Sequence, residues 1–322
     1  MRKLLLATAV SAAFVSPLAS TTANAQAAAP AAAPASPHTF TGNISFASDY
    51  RFRSISQTYK SPALQGGFDY SHSSGLYAGT WASNVSGNQY TNGAGLEWDF
   101  YGGWKKELFA DFTLDLGVLY YWYPDARYNS PPTAPAAGGN TPSGKFNNTE
   151  IYIGATWKWF TAKYNYATSD YFGLNAGTLF RSNYGNGFLA NSTFCGTNSA
   201  GFATGTNGAA AVSGNCIGTN RGGSSGSGYL DLSATYDLGG GWGINGHVGV
   251  LRVKNYSEYD YTDYKLGVTK DVGNGFTVAA ALIGNNAKTP FYTGADSGGL
   301  VTPTNTKNLR NETLVLTLTK AF

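Results

Sequence analysis

The sequence predicts an all-β fold, a single closed antiparallel transmembrane β-barrel of about twelve strands with short turns at one rim and long loops at the other. Three observations carry that prediction. Short runs recur in which every second residue is apolar, the composition is rich in aromatic residues and glycine but poor in charge, and the chain opens with an export signal.

The alternation is clearest over 111–122, where Phe112, Leu114, Leu116, Val118, Tyr120 and Trp122 share one face and Asp111, Thr113, Asp115 and Gly117 the other. Successive side chains of a strand point to opposite faces, so this run is a ribbon with one apolar and one wet side. Its length suits a tilted strand that crosses a bilayer. Ribbons of this kind build a soluble barrel or sandwich around an apolar core, or a membrane barrel around a wet lumen.

Composition separates the two. Charged residues make up 12% of the chain and aromatic residues 15%, with 42 Gly, 22 Tyr and 7 Trp. An ordinary soluble domain carries about 25% charge, so a surface with half of that is poorly suited to water. A lipid-facing wall needs few charges and places Tyr and Trp at the two interfaces. Glycine suits strands that bend to close a cylinder.

The N-terminus supplies an address. Met1, Arg2 and Lys3 are followed by a mostly apolar stretch to Leu18, and Ala23-Asn24-Ala25 before Gln26 has the small-x-small form of a cleavage site, so residues 1–25 are expected to be a secretory signal peptide. No other stretch approaches the roughly 18 uninterrupted apolar residues of a membrane-spanning helix, which excludes a polytopic helical protein. Without Arg2 and Lys3 the chain holds 19 basic and 18 acidic residues, and nothing in that balance points to nucleic acid. Residues 26–39 form an Ala/Pro tract without apolar period and are expected to be a disordered tail ahead of a barrel over 40–322.

The first strand is expected over 40–52, with Phe40, Ile44, Phe46, Tyr50 and Phe52 on its apolar face. The second, 63–71, alternates Leu64, Phe68 and Tyr70 with Gln65 and Asp69; the third, 76–84, is small or aromatic on both faces. The fourth, 93–104, sets Leu96, Trp98, Phe100 and Trp104 against Glu97 and Asp99, and the fifth is the run over 111–122. Next, 148–159 sets Ile151, Ile153, Trp157 and Trp159 against Glu150, Tyr152, Thr156 and Lys158, and 161–169 sets Ala162, Tyr164 and Tyr166 against Lys163 and Asn165. Their junction at Phe160 lacks any turn-forming residue.

The eighth strand, 229–238, alternates Leu230, Leu232, Ala234 and Tyr236 with Asp231, Ser233, Thr235 and Asp237, and a triple-glycine turn hands on to 242–252. Runs 261–271 and 276–285 meet through Gly273-Asn274-Gly275, a strong hairpin signal. The last, 311–322, keeps Leu314, Leu316 and Leu318 in step with Phe322.

Short links near 72–75, 103–110, 160, 239–241 and 272–275 alternate with long ones near 123–147, 170–227 and 286–309. Bacterial outer-membrane barrels show this alternation, with the short turns on the periplasmic side. The outer membrane, reached through the periplasm, is therefore the expected location and its lipid the expected surround. The C-terminal strand ending in Phe322 resembles the signal read by the barrel-assembly machinery; Lys320 interrupts it, and would snorkel to the interface. Cys195 and Cys216 lie in the longest loop, and an exported chain is expected to join them as a disulfide. Nothing reports a subunit contact, so a homo-oligomer stays open.

No catalytic, cofactor-binding or metal site is expected. Only His38, His72 and His247 exist, scattered over the tail, a turn and a strand, and no glycine-rich loop carries a phosphate-cradle spacing. Parity instead sends Asp49, Arg51, Asp69, Glu97, Asp99, Asp115, Glu150, Lys158, Lys163, Asp231, Asp237, His247, Asp263 and Lys265 into the lumen. Two outcomes follow from such a lining. The charges pair and plug the barrel, leaving a structural or adhesive protein, or they line an aqueous path and set its preference, with acidic groups in excess favouring cations. An outer-membrane hydrolase would instead place its nucleophile on the lipid-facing wall.

The run Ser48-Asp49-Tyr50-Arg51-Phe52-Arg53-Ser54-Ile55-Ser56-Gln57, with Pro62-Ala63-Leu64-Gln65, Ser74-Gly75-Leu76-Tyr77-Ala78-Gly79, Glu97-Trp98-Asp99 and Tyr261-Thr262-Asp263-Tyr264, resembles the TorF family of porin-like proteins, the Gcw-type proteobacterial proteins. Ser54 stands where that family's pattern has glycine, and the loop with Cys195 and Cys216 reads as an insertion. The resemblance implies an outer-membrane channel for passive diffusion of small hydrophilic solutes or ions, names no solute, and carries no catalytic residue.

Overall fold

A strand whose two faces meet different solvents must still pair both of its edges, and in the computed structural model twelve strands do so in a ring. The structure describes residues 36–87, 95–127, 144–175, 222–288, 292–295 and 306–322. The strands are β1 (His38–Ala47), β2 (Ala63–His72), β3 (Leu76–Asn84), β4 (Leu96–Phe109), β5 (Phe112–Trp122), β6 (Asn148–Trp157), β7 (Phe160–Ala167), β8 (Gly228–Gly239), β9 (Trp242–Arg252), β10 (Tyr261–Gly273), β11 (Phe276–Asn285) and β12 (Thr313–Ala321). Each pairs antiparallel with the next, and β12 returns to β1, so no edge of backbone N–H and C=O groups is left for lipid to meet.

The faces are inverted relative to a soluble domain. Leu314, Leu316 and Leu318 are 60, 53 and 46% exposed, whereas Glu97, Asp99, Glu150 and Asp263 are at most 1% exposed. Ionisable groups therefore sit inside and aliphatic groups outside, as a bilayer requires. Aromatic girdles flank the aliphatic belt. Near the loop rim Trp98 stacks on Trp122 at 5.9 Å; near the turn rim Phe109 stacks on Phe112 at 4.6 Å. Lysines at the turn rim lay their chains over aromatic neighbours, with Lys270 Nζ 4.8 Å from the Trp242 ring and Lys320 Nζ 4.9 Å from that of Phe276.

The strand ends joined by 73–75, 110–111, 158–159, 240–241 and 274–275 lie at one rim, and those joined through 48–62, 85–95, 123–147, 168–227, 253–260 and 286–312 lie at the other. Several boundaries differ from expectation. Strand β1 begins at His38, inside the expected tail, and stops at Ala47; Tyr50 and Phe52 are therefore buried inside the barrel at 3 and 9% exposure, not on its outer wall. Strand β4 runs on to Phe109. The β6–β7 turn is Lys158-Trp159, with Lys158 at φ 55°, so the turn needs no glycine but places Lys158 at the rim and not in the lumen. The expected signal peptide and both cysteines lie outside the described residues.

Candidate functional site

The segment joining β1 to β2 does not stay at the rim. Arg51–Phe52 and Ile55–Ser56 form a two-residue ladder whose turn, Arg53-Ser54, has φ of 44° and 65°. Positive φ at both central residues makes this a type I′ hairpin, which usually recruits Asn and Gly. Holding Arg and Ser in the left-handed region costs about 1–2 kcal/mol per residue, and the contacts at the tip offset it.

Those contacts lie on the far side of the ring. Arg53 donates to both oxygens of Glu150 on β6, at 3.0 and 2.7 Å, and its guanidinium lies 4.2 Å from the Tyr229 ring of β8. Ser54 Oγ donates to Asp263 on β10 at 3.0 Å, and Tyr261 OH donates to the Arg53 carbonyl at 2.9 Å. At the near side Asp49 holds Arg51 at 2.6 Å, and Arg51 Nη1 reaches the carbonyls of Leu309 and Asn311. In a ring of twelve, β7 faces β1, so a hairpin rooted beside β1 and anchored on β6 and β8 bridges the whole lumen. Burial works against the Arg53 charge, but Glu150 and the surrounding tyrosines hold its pKa well above the ordinary value. An aromatic group of Phe52, Tyr121 and Phe172 packs beside it.

Below the hairpin the wall carries tyrosines laid over glycines. A Cβ at Gly79 would fall 2.6 Å from Tyr101 Cζ, and one at Gly117 would run into the Tyr152 ring. Gly79 and Tyr101 are cross-strand partners, as are Gly117 and Tyr152. Glycine is needed here for space: it lets a large ring lie flat along the wall. The hydroxyls bond to carboxylates, Tyr101 to Asp69 and Tyr77 to Asp115, each at 2.6 Å, and Tyr77 also bonds Tyr152. Lys163 Nζ sits 3.7 Å from the centre of the Tyr152 ring. His247 lies between two carboxylates, its Nδ1 2.7 Å from Asp231 and its Nε2 3.1 Å from Asp263.

The expected lumen residues are thus distributed in four ways. Asp49 and Arg51 lie inside because their segment folds inward, not because β1 continues. Glu97, Asp99, Glu150 and Asp263 lie at the hairpin level, where Tyr50 donates to Glu97 at 2.8 Å. Asp69, Asp115, Lys163, Asp231, His247 and Lys265 belong to the wall below. Lys158 and Asp237 are exposed at the turn rim, where Asp237 accepts from the Gly239 N–H at 2.8 Å.

Parity did not single out Arg53, Ser54, Tyr77, Tyr101, Tyr229 or Lys105. The paired Gly and Tyr positions of adjacent runs were the available signal for the tyrosines. Among the described residues no group of three or more His, Cys, Asp or Glu is placed to hold a metal ion.

The sequence profile of the family described as "Bacterial protein of unknown function (Gcw_chp)" matches residues 31–322. No curated protein sequence matches the chain. Among solved structures, the KdgM porin is 5% identical with a TM-score of 0.42, covering 88% of this chain and 99% of its own. The NanC porin is 9% identical with a TM-score of 0.42, over 88% and 99%. OccAB3 of Acinetobacter baumannii is 8% identical with a TM-score of 0.34, over 89% and 65%.

Proposed function

Since the chain belongs to the Gcw_chp family, whose function is unknown, its role must come from its own lumen, and we propose an outer-membrane porin-like channel through which small hydrophilic solutes diffuse passively. One observation carries the reading: a closed wall, apolar outside, encloses hydroxyl and ionisable side chains that have no place in a core built only for stability. The long-loop rim then faces outside the cell and the turn rim the periplasm, with β12 offering its terminal pattern to the assembly machinery. The motifs that resemble TorF-family porins belong to this same proposal. Within the lumen, both nitrogens of His247 face carboxylates and neither is left to activate a hydroxyl, which gives a hydrolase reading no support there.

The bridging hairpin favours a second reading, a structural or adhesive barrel with its lumen shut. Purified protein in a planar bilayer separates them. Discrete conductance steps are expected of the channel. A silent membrane, with protein that still migrates differently before and after boiling, would overturn it in favour of the shut barrel.

A further inference from the structure

Two of the chain's three histidines, assigned by sequence to a tail and a turn, are neighbours in the barrel. His38 opens β1 and His72 closes β2, and the register sets them directly opposite each other. One step further out, Ser73 donates its N–H to the Pro37 carbonyl at 2.9 Å. Hydrogen-bonded and non-hydrogen-bonded pairs alternate along an antiparallel ladder, so His38 and His72 form a non-hydrogen-bonded pair, the kind that brings side chains closest. Both keep step with Phe40 and Phe68, which are 75 and 71% exposed, so they stand on the outer face at the turn rim. His38 is exposed and His72 half-buried, which leaves both rings open to solutes at the rim. His247, by contrast, is enclosed between Asp231 and Asp263.

Each ring is anchored through its Nδ1. That of His38 lies 2.9 Å from the Tyr70 hydroxyl, and that of His72 lies 2.8 Å from Ser74 Oγ. When Nδ1 carries the proton and donates it to these oxygens, Nε2 presents its lone pair, and among the described residues neither Nε2 has a partner. For His72 this tautomer gives up a longer contact, in which Nδ1 accepts from the Ser74 N–H at 3.2 Å. Metal-binding histidines are set in this way, one nitrogen held by an oxygen and the other left for the ion. The His38 ring also stacks on that of Tyr70, with centres 5.9 Å apart and planes at 26°, which restricts its rotation. The two imidazole centres lie 5.2 Å apart with their planes at 48°. Two imidazoles on one tetrahedral ion, with metal–nitrogen bonds of about 2.0–2.1 Å, have ring centres about 5 Å apart, so the spacing suits a chelate.

We propose that His38 and His72 are a two-histidine site for a late first-row transition-metal dication, Cu²⁺ ahead of Zn²⁺, with water completing the shell. Imidazole suits copper, nickel and zinc, whereas calcium and magnesium prefer oxygen, and affinity along the first row peaks at copper. The ion staples the outer end of β1. Residues 38–41 precede both the ladder of Asn43–Ala47 with β12 and the bonds between Gly42 and Phe322, so β2 alone pairs with them. The site stands on the outside of the wall and is independent of whether the lumen conducts.

The test is Cu²⁺ titrated into untagged full-length protein folded in detergent micelles, followed by calorimetry and by the nitrogen splittings of its electron paramagnetic resonance spectrum. One ion per chain with two coordinated nitrogens is expected. His38→Gln and His72→Gln should each weaken binding by about a hundredfold, the gain that joining two ligands brings, and leave one coordinated nitrogen. Tyr70→Phe and Ser74→Ala keep both imidazoles but remove the oxygens that orient them, and each should cost about tenfold. All four variants should keep the gel shift on boiling, because the substituted side chains lie at the rim. Zn²⁺ should slow hydrogen exchange at residues 38–41 in the wild type and not in His72→Gln. Binding that survives both histidine variants, a spectrum without a coordinated imidazole pair, or no binding at all overturns the site, and binding that leaves the exchange of 38–41 unchanged overturns the staple.

Discussion

Glu150→Gln is the most informative perturbation of the hairpin. The substitution keeps the shape of the side chain but removes the charge that Arg53 meets at 2.7 and 3.0 Å, between side chains 4 and 2% exposed. Stripping one partner from a buried ion pair costs roughly 3–5 kcal/mol, because the other charge stays buried alone. The tip anchors that remain include the Ser54–Asp263 bond, worth roughly 1.5–3 kcal/mol as a bond to a charged group, the neutral Tyr261–Arg53 bond, worth about 1, the bond from Arg53 to Tyr171, and those from Asn285 and Arg51 to the Ser54 carbonyl. The lost pair is therefore the largest single anchor of the tip, while the twelve-strand ladder is untouched. Such a change shifts the balance between seated and lifted hairpin by roughly two to four orders of magnitude.

Larger or longer-lived conductance steps are expected, together with faster hydrogen exchange at residues 52–55. Replacing both partners by apolar groups of similar size, as in Arg53→Met with Glu150→Leu, should seat the hairpin again, since an apolar pair carries no desolvation debt. Wild-type steps and unchanged exchange in Glu150→Gln would refute the claim that this pair closes the bridge.

Gly117→Leu should push the Tyr152 ring into the passage, lowering conductance while the gel shift on boiling persists. Ser54→Gly relieves about 1–2 kcal/mol of left-handed strain but forfeits a buried bond to a carboxylate worth about 1.5–3, so a net loss of about 1 kcal/mol should appear as a lower urea midpoint for hairpin protection. Val248→Arg, midway along the lipid face of β9, should cost about 2–4 kcal/mol in refolding into vesicles, whereas Ser233→Arg on the inner face should alter selectivity more than stability. The opposite ranking would reverse the assignment of faces.

Period-two alternation was readable because lipid and water make opposite demands on consecutive residues, so Leu314 and Leu316 at one end of the chain and Trp98 and Phe100 nearer the other declare the same wall. It failed where one pattern serves two geometries. Tyr50 and Phe52 continue the apolar beat of β1, yet the chain has already turned inward, and Arg53-Ser54 contains neither Asn nor Gly to announce a hairpin. Lys158-Trp159 turns with equally little warning. Tyrosine is amphipathic and fits either face, so the inner placement of Tyr77 and Tyr101 follows only from the glycine opposite each ring, a cross-strand relation that a single run does not display. The hairpin's reach to Glu150 and Asp263 joins residues 97 and 209 positions apart, beyond any local pattern.

The ring closes on its shortest ladder between full strands: β1 meets β12 over five residue pairs, Asn43–Ala47 with Thr317–Ala321, but meets β2 over ten. The bond from Ser45 to Thr319 there spans 274 positions, and bringing such distant points together costs about 5 kcal/mol of chain entropy before any contact repays it. Sealing this seam is then the slow, late event of assembly, preceded by an open curved sheet with two raw edges that must be shielded from other chains until they find each other.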